Sequence, residues 1–121
     1  MVRIASKQPR KQRKARYNAA THQRSMFLSA PLSEDLRSEY SRRTVRVVTG
    51  DTVLVLRGDH NGTEGVVDGV NSKKGTLIVH GVSVTKADGT DVPRPVNASN
   101  VVVTKLNTKD PRRVEKLEER K

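Results

Sequence analysis

From Thr44 onward the period of the apolar pattern changes to two, in short stretches separated by turns, and this change constrains the fold more than any other feature of the chain. A period of two places successive side chains on opposite faces of a strand, so one face can be buried and the other left in water. The stretch GDTVLVLRGDHNGTEGVV, Gly50 to Val67, shows the pattern and breaks it with Gly58, Gly62 and Gly65. The apolar members are mostly valine, a β-branched residue that fits a pleated surface better than a helix. With one Phe, two Tyr and no Trp among 121 residues, any core must be aliphatic. A chain of this length carries one core with attachments.

The alternation predicts strands at Val45–Val48, Thr52–Arg57, Glu64–Val70, Thr76–His80 and Asn100–Leu106. Between them lie Gly58, Asn61-Gly62, Asn71 to Gly75, Asp88-Gly89 and the prolines Pro93 and Pro95. Asn-Gly and Asp-Gly are hairpin signals because both residues tolerate positive φ. Short strands with closely spaced turns indicate a mainly β fold, a small barrel or sandwich. No segment between them could house crossover helices, which disfavours a parallel sheet. Glycine also lets a strand bend or approach a neighbouring backbone closely, and that is the simplest role for each of these glycines.

Outside this body the pattern changes. Ser33 is a candidate N-cap, Glu34 and Asp35 fit a first helical turn, and Arg42 and Arg43 fit the last. Leu32, Leu36 and Tyr40 would then share one stripe, which the body can cover. Asp110-Pro111 opens a second short helix, whose opposite charges at spacings of three leave only Val114 and Leu117 as an apolar side. The expected organisation is a basic arm with a short helix (1–43), a β body (44–106) and a charged helical tail (107–121).

The net charge of +11 is concentrated at one end. Residues 1–24 hold Arg3, Lys7, Arg10, Lys11, Arg13, Lys14, Arg16 and Arg24 and no acid, while residues 45–106 are nearly balanced. Alone, residues 1–16 read as disordered, having much charge and little to bury. A near-neutral body with a cationic arm suggests a polyanionic partner. A transit peptide or a membrane-surface helix would need an apolar face, which SKQPRKQRKARYN lacks. The absence of Cys excludes disulfides and thiolate zinc sites and suits a reducing compartment. No apolar run reaches signal-peptide or membrane-span length, so a soluble, intracellular protein is expected.

Gly50-Asp51-Thr52-Val53, Val55-Leu56-Arg57-Gly58, Gly62 and Gly65-Val66-Val67 together resemble a KOW motif. SKQPRKQRKARYNA at 6–19, LSEDLRSEYSRRTVRV at 32–47 and VPRPVNASNVVVTKL at 92–106 extend the likeness over almost the whole chain. It resembles the archaeal and eukaryotic branch of the large-subunit ribosomal protein twenty-four family. The resemblance implies a five-stranded SH3-like barrel for residues 44–106. It further implies binding to large-subunit rRNA near its 5′ end, a part in early subunit assembly and a place near the peptide tunnel exit. One departure stands out: the family's glycine loop is lysine-rich, whereas here it reads Asp59-His60-Asn61-Gly62-Thr63-Glu64.

The candidate rRNA-binding residues are the eight arm cations together with Arg42, Arg43, Arg46, Arg57, Lys73 and Lys74, and the loop glycines are Gly50, Gly58, Gly62 and Gly65. Glycine amides can approach a phosphate, so backbone contacts compete with corner-turning as the reason for them. Phosphate contacts release counterions, so affinity should fall steeply with salt. The predicted strands hold no aromatic residue, which points to shape and backbone recognition rather than to reading splayed bases. A merely solubilising arm is the competing reading.

Arg57-Gly58-Asp59 spells an adhesion tripeptide and Asn61-Gly62-Thr63 and Asn97-Ala98-Ser99 spell glycosylation acceptors, but neither matters without secretion. His22, His60 and His80 lack metal-ligand spacing, and no nucleophile motif is present. Neither cofactor nor enzymatic activity is expected. The expected partners are large-subunit rRNA and neighbouring ribosomal proteins in the cytoplasm, with no membrane, small-molecule substrate or homo-oligomer. A KOW transcription elongation or antitermination factor is the alternative, although nothing here could house a separate polymerase-binding domain. A protein-interaction module would need exposed aromatics, which are scarce.

Overall fold

The computed structural model describes residues 4–119. Five short strands build its main sheet: β3 (Thr52–Val55), β4 (Glu64–Asn71), β5 (Thr76–Val79), β8 (Val96–Asn97) and β9 (Val101–Lys105). They pair antiparallel in the order β8-β5-β4-β3-β9, and this sheet organises the rest of the chain. Two ribbons accompany it, β1 (Ser29–Pro31) with β2 (Thr44–Arg46), and β6 (Ser83–Thr85) with β7 (Asp91–Pro93). Helices α1 (Pro9–Tyr17), α2 (Thr21–Arg24) and α3 (Glu34–Tyr40) precede the sheet, and α4 (Pro111–Glu118) follows it. The fold is mainly β, and the five-stranded sheet is open, with β8 and β9 at its edges.

The alternating pattern acts as expected. Val53, Val55, Val67, Leu77, Val79, Val101 and Val103 point inward and are buried. Leu28, Ala30 and Leu32, in and around β1, join the same core together with Val47, Val82 and Ala98. Among the described residues no aromatic side chain enters this core. At about 25 cal/mol per Å² of apolar surface removed from water, these aliphatic residues are the main driving term for the fold. Bulges between Thr52 and Val53 and between Val67 and Gly69 interrupt the ladders and bend the strands around the core.

Four sequence expectations need correction. The strand predicted at Val45–Val48 exists as β2, but it pairs with β1 rather than joining the main sheet. Leu32 N–H donates to Arg43 O and Val47 N–H donates to Leu28 O, both at 3.0 Å, which closes that ribbon. The fifth strand of the sheet is instead β8, two residues held against Thr76 and Leu77. Its neighbours Pro93 and Pro95 read as loop, which conceals it in the sequence. Arg42 and Arg43 lie beyond α3 rather than near its last turn, because Ser41 takes a left-handed φ of 54° and ends the helix after Tyr40. Ser33 does occupy the N-cap position but without a side-chain cap, and its N–H donates to Val103 O at 3.0 Å.

Residues 9–17 form a helix rather than an unstructured arm. Pro9 supplies a pre-set first turn, Lys14 and Arg16 sit at the negative end of the helix dipole, and no residue of α1 is buried. The Asp88-Gly89 signal marks the β6–β7 hairpin, whose strands the alternation does not reveal.

Candidate nucleic-acid interface

Helix α1 is a rod of cations without counter-charge. Its Arg10, Lys11, Arg13, Lys14 and Arg16, and Lys7 just before it, are all exposed, and none pairs with a carboxylate among the described residues. The helix is docked at its C-terminal end. The Arg16 guanidinium lies 4.5 Å over the centre of the Phe27 ring. Arg24 Nη2 donates to Tyr17 O at 3.4 Å, which ties α2 to the end of α1. Arg3 lies outside the described residues.

The hairpin between β4 and β5 meets this assembly. Gly75 is buried, and a Cβ built there would lie 3.0 Å from Phe27 Cβ and 3.3 Å from Arg16 Nη2. The turn that carries the exposed Lys73 and Lys74 therefore stands beside α1. Lys74 N–H donates to Asn71 Oδ1 at 3.2 Å, and that bond holds the turn.

The other candidates are distributed elsewhere. Arg43 precedes β2, Arg46 is its last residue, and both are exposed. Arg42 is half-buried and its Nη2 donates to Lys116 O, so it fastens α4 and is less available to a partner than Arg43. Arg57 is exposed next to Gly58. In the glycine loop the amides of Asn61, Gly62 and Thr63 donate to Gly58 O, Val55 O and His60 O at 3.2, 2.8 and 3.1 Å. Those three amides are thus committed to the turn, and the positive φ of Gly58 (98°) and Gly62 (88°) gives both glycines a corner-forming role. Asp59 pairs with Arg94 at 2.9 Å on the surface.

Gly50 and Gly65 answer different needs. Gly50 has φ of +100° beside Asn107, whose Nδ2 donates to Thr49 O at 3.0 Å. Gly65 opposes Val53 in the ladder, and a Cβ there would fall 2.3 Å from His80 O. It is glycine because two backbones cross there.

One structural cluster beside these candidates is not legible in the sequence. Asp51 is fully buried, and Arg113 of α4 grips it through Nη1–Oδ1 and Nη2–Oδ2 bonds of 2.7 Å each. Asp51 also accepts Val48 N–H at 3.1 Å and Asn107 N–H at 2.8 Å. Arg113 further donates to Asn107 O and Arg46 O at 2.9 and 3.2 Å. This charge-assisted, bidentate pair locks the tail against the first turn of the sheet. Leu117 is buried beneath α4, so the tail's small apolar side is covered by the body itself. The only hint in the sequence is an aspartate inside an apolar alternation; its partner is 62 residues away.

Among the described residues no group of His, Cys, Asp and Glu could hold a metal ion. No described helix is long and apolar enough to cross a membrane.

The profile of a family described as the eukaryotic ribosomal proteins L26 and their archaeal L24-type counterparts matches residues 6–120. The chain belongs to that family. It is 68% identical over 117 residues to the large ribosomal subunit protein uL24 of Methanoculleus marisnigri, covering 97% of each chain. The protein of the same name from Methanoregula boonei is 63% identical, again over 97% of both chains. That from Korarchaeum cryptofilum is 48% identical over 97% of this chain and 89% of its own. As a member of this family the chain is a ribosomal protein and not an enzyme. The match spans arm, sheet and tail, so the resemblance to this family holds and the transcription-factor alternative falls away.

Proposed function

We propose that this structural constituent of the large ribosomal subunit is held in place on folded rRNA by the α1 face, with Lys73 and Lys74 extending that face and Arg43, Arg46 and Arg57 making further backbone contacts. The observation that carries this reading is that the six exposed cations of residues 7–16 have no carboxylate partner among the described residues. Unpaired cations on a preformed helix can neutralise phosphates without first breaking internal ion pairs. The contacts contribute through charge and shape, so the protein works by placement.

In this reading the sheet together with the β1–β2 ribbon is a small SH3-like KOW barrel. Support comes from the backbone bridge between Leu32 and Val103, which joins the ribbon's end to edge strand β9 across the shared core. The arm (1–43) and tail (107–121) are attachments to that body. The rRNA site lies near the 5′ end of the large-subunit RNA, binding belongs to early assembly, and the protein sits near the tunnel exit beside other ribosomal proteins, in the cytoplasm. The basis for these placements is family membership.

The deciding experiment is sedimentation of a native-source lysate through a density gradient after a moderate-salt wash, following this chain by mass spectrometry. The expected result is about one copy per large subunit, retained at moderate salt and released as salt rises. Recovery free at the top of the gradient would overturn the reading.

A further inference from the structure

We infer that the cleft between α1 and the two 3-10 turns (Ser25–Leu28 and Ala98–Asn100) receives one unstacked RNA nucleotide, its base against the Arg16–Phe27 pair and its phosphate on Arg13. The inference rests on the rRNA-binding reading and adds to it a specific base site, in a protein whose strands offer no aromatic platform.

The cleft has a volume of about 780 Å³, within the range of about 300–1,000 Å³ that ligand sites occupy. Its floor is apolar, made by Met26 and Phe27, and its helix wall carries Arg13 and Arg16. Among the described residues no carboxylate lines it, so an anionic occupant is favoured over a neutral or cationic one. Arg16 already lies over Phe27, 4.5 Å from the ring centre, and can offer its outer face to a base. Arginine planes and aromatic rings are the surfaces on which splayed RNA bases stack.

Polar groups around the rim are available to read a base edge. Asn97 Oδ1 is occupied, accepting from Ser99 N–H at 3.2 Å and Ser99 Oγ at 3.0 Å, while the Asn97 Nδ2 donors have no partner among the described residues. The side-chain amide of Gln12, one position before Arg13 on α1, has no hydrogen-bond partner among the described residues. An apolar cleft with a few converging unpaired donors is the usual form of a specific small-ligand site. The stack is also closely packed: a Cβ at Gly75 would lie 3.0 Å from Phe27 Cβ and 3.3 Å from Arg16 Nη2.

The test is filter binding of the full chain to a transcript of the source organism's large-subunit rRNA, at several salt concentrations. Ser99→Leu and Gln12→Leu each crowd the cleft from one side without changing charge or adding a ring on which a base could stack. Either should weaken binding by about tenfold or more, the size of one missing stacked base, with the salt slope unchanged. Arg13→Ala should instead lower the slope by about 0.7, the change expected when one phosphate of an unstacked strand goes unneutralised. Thermal melts of the variants establish that they fold, and the two filling variants back each other up. Unchanged affinity in a folded filling variant overturns the inference while leaving rRNA binding intact. Failure of the unaltered chain to bind rRNA overturns both. In intact subunits, 4-thiouridine in the rRNA should crosslink to Met26 or Phe27. Crosslinks confined to other residues, or a protein crosslinked to this cleft in place of RNA, would likewise overturn it.

Discussion

Arg113 and Asp51, 62 positions apart in the chain, form a two-pronged ion pair in which the carboxylate has no exposed surface and the arginine side chain retains 12%. A buried pair of this kind is weak evidence for added stability in itself, because taking both charges out of water offsets their attraction. Its main effect is conditional: once the pair is built in, neither partner can be removed cheaply. It also decides where α4 lies, since Arg46 O and Asn107 O share the same guanidinium.

Arg113→Ala should therefore destabilise the protein by about 3–5 kcal/mol, the cost of leaving one buried charge alone. Arg113→Lys should recover little of this, because a point charge cannot reproduce two parallel bonds. Urea denaturation of the two variants beside the unaltered chain measures the differences. Equal midpoints would show that water reaches Asp51 and that the pair does not hold the tail.

At Gly65 any side chain meets backbone. Gly65→Ala places a methyl 2.3 Å from His80 O, and the only relief is to part β4 from the chain beyond β5. We expect a loss of at least about 2 kcal/mol, as for other overpacked sites. Gly69→Ala in the same strand is the control, since its Cβ would lie an ordinary 4.0 Å from Ile78 Cδ1. Comparable losses at both positions would refute the close-approach explanation.

Removal of residues 1–24 should weaken rRNA binding and flatten its dependence on salt. The milder triple change Arg10→Gln, Lys11→Gln, Lys14→Gln keeps the helix. It should lower the slope of log K against log salt by roughly 0.9 for each phosphate no longer neutralised. Filter binding at graded salt gives the answer, and an unchanged slope would remove α1 from the interface.

The tip of the β6–β7 hairpin should respond to acid. Thr90 N–H donates to Asp88 Oδ1 at 3.0 Å, and this bond, seconded by the Thr90 hydroxyl, holds the Asp88 carboxyl below the usual aspartate range. A depressed folded value means the turn is favoured while the group is ionised, above the unfolded value, and loses that support as pH falls through the folded one. Carbon-13 titration of Asp88 should show the lowered value, with amide protection at Thr90 declining over the same acid range. Titration at the ordinary aspartate position would contradict the assignment.

Most of the body can be read along the chain because a strand's alternation is local. Thr52–Arg57, Glu64–Val70 and Thr76–His80 are legible from inward valines and leucines, and the observed β3, β4 and β5 lie within a residue or two of those bounds. Asp110 and Pro111 open α4 for an equally local reason, since the cap bond to Arg112 N–H spans two residues. The arm's charge is plain, but its helix is not: like charges argue against folding alone, and Phe27, which receives Arg16, lies eleven residues further on.

What the sequence determined by itself is the aliphatic, strand-built core and the concentration of cations at one end, since both are properties of spacing and composition. Tertiary structure alone decided the rest. It paired β2 with β1, recruited Val96–Asn97 as an edge strand, committed three loop amides away from any phosphate, and buried Asp51 under Arg113. The physical reason is the same in each case. A backbone bond or a buried charge is satisfied by whichever partner the packed core brings within about 3 Å, and sequence spacing carries no record of that distance.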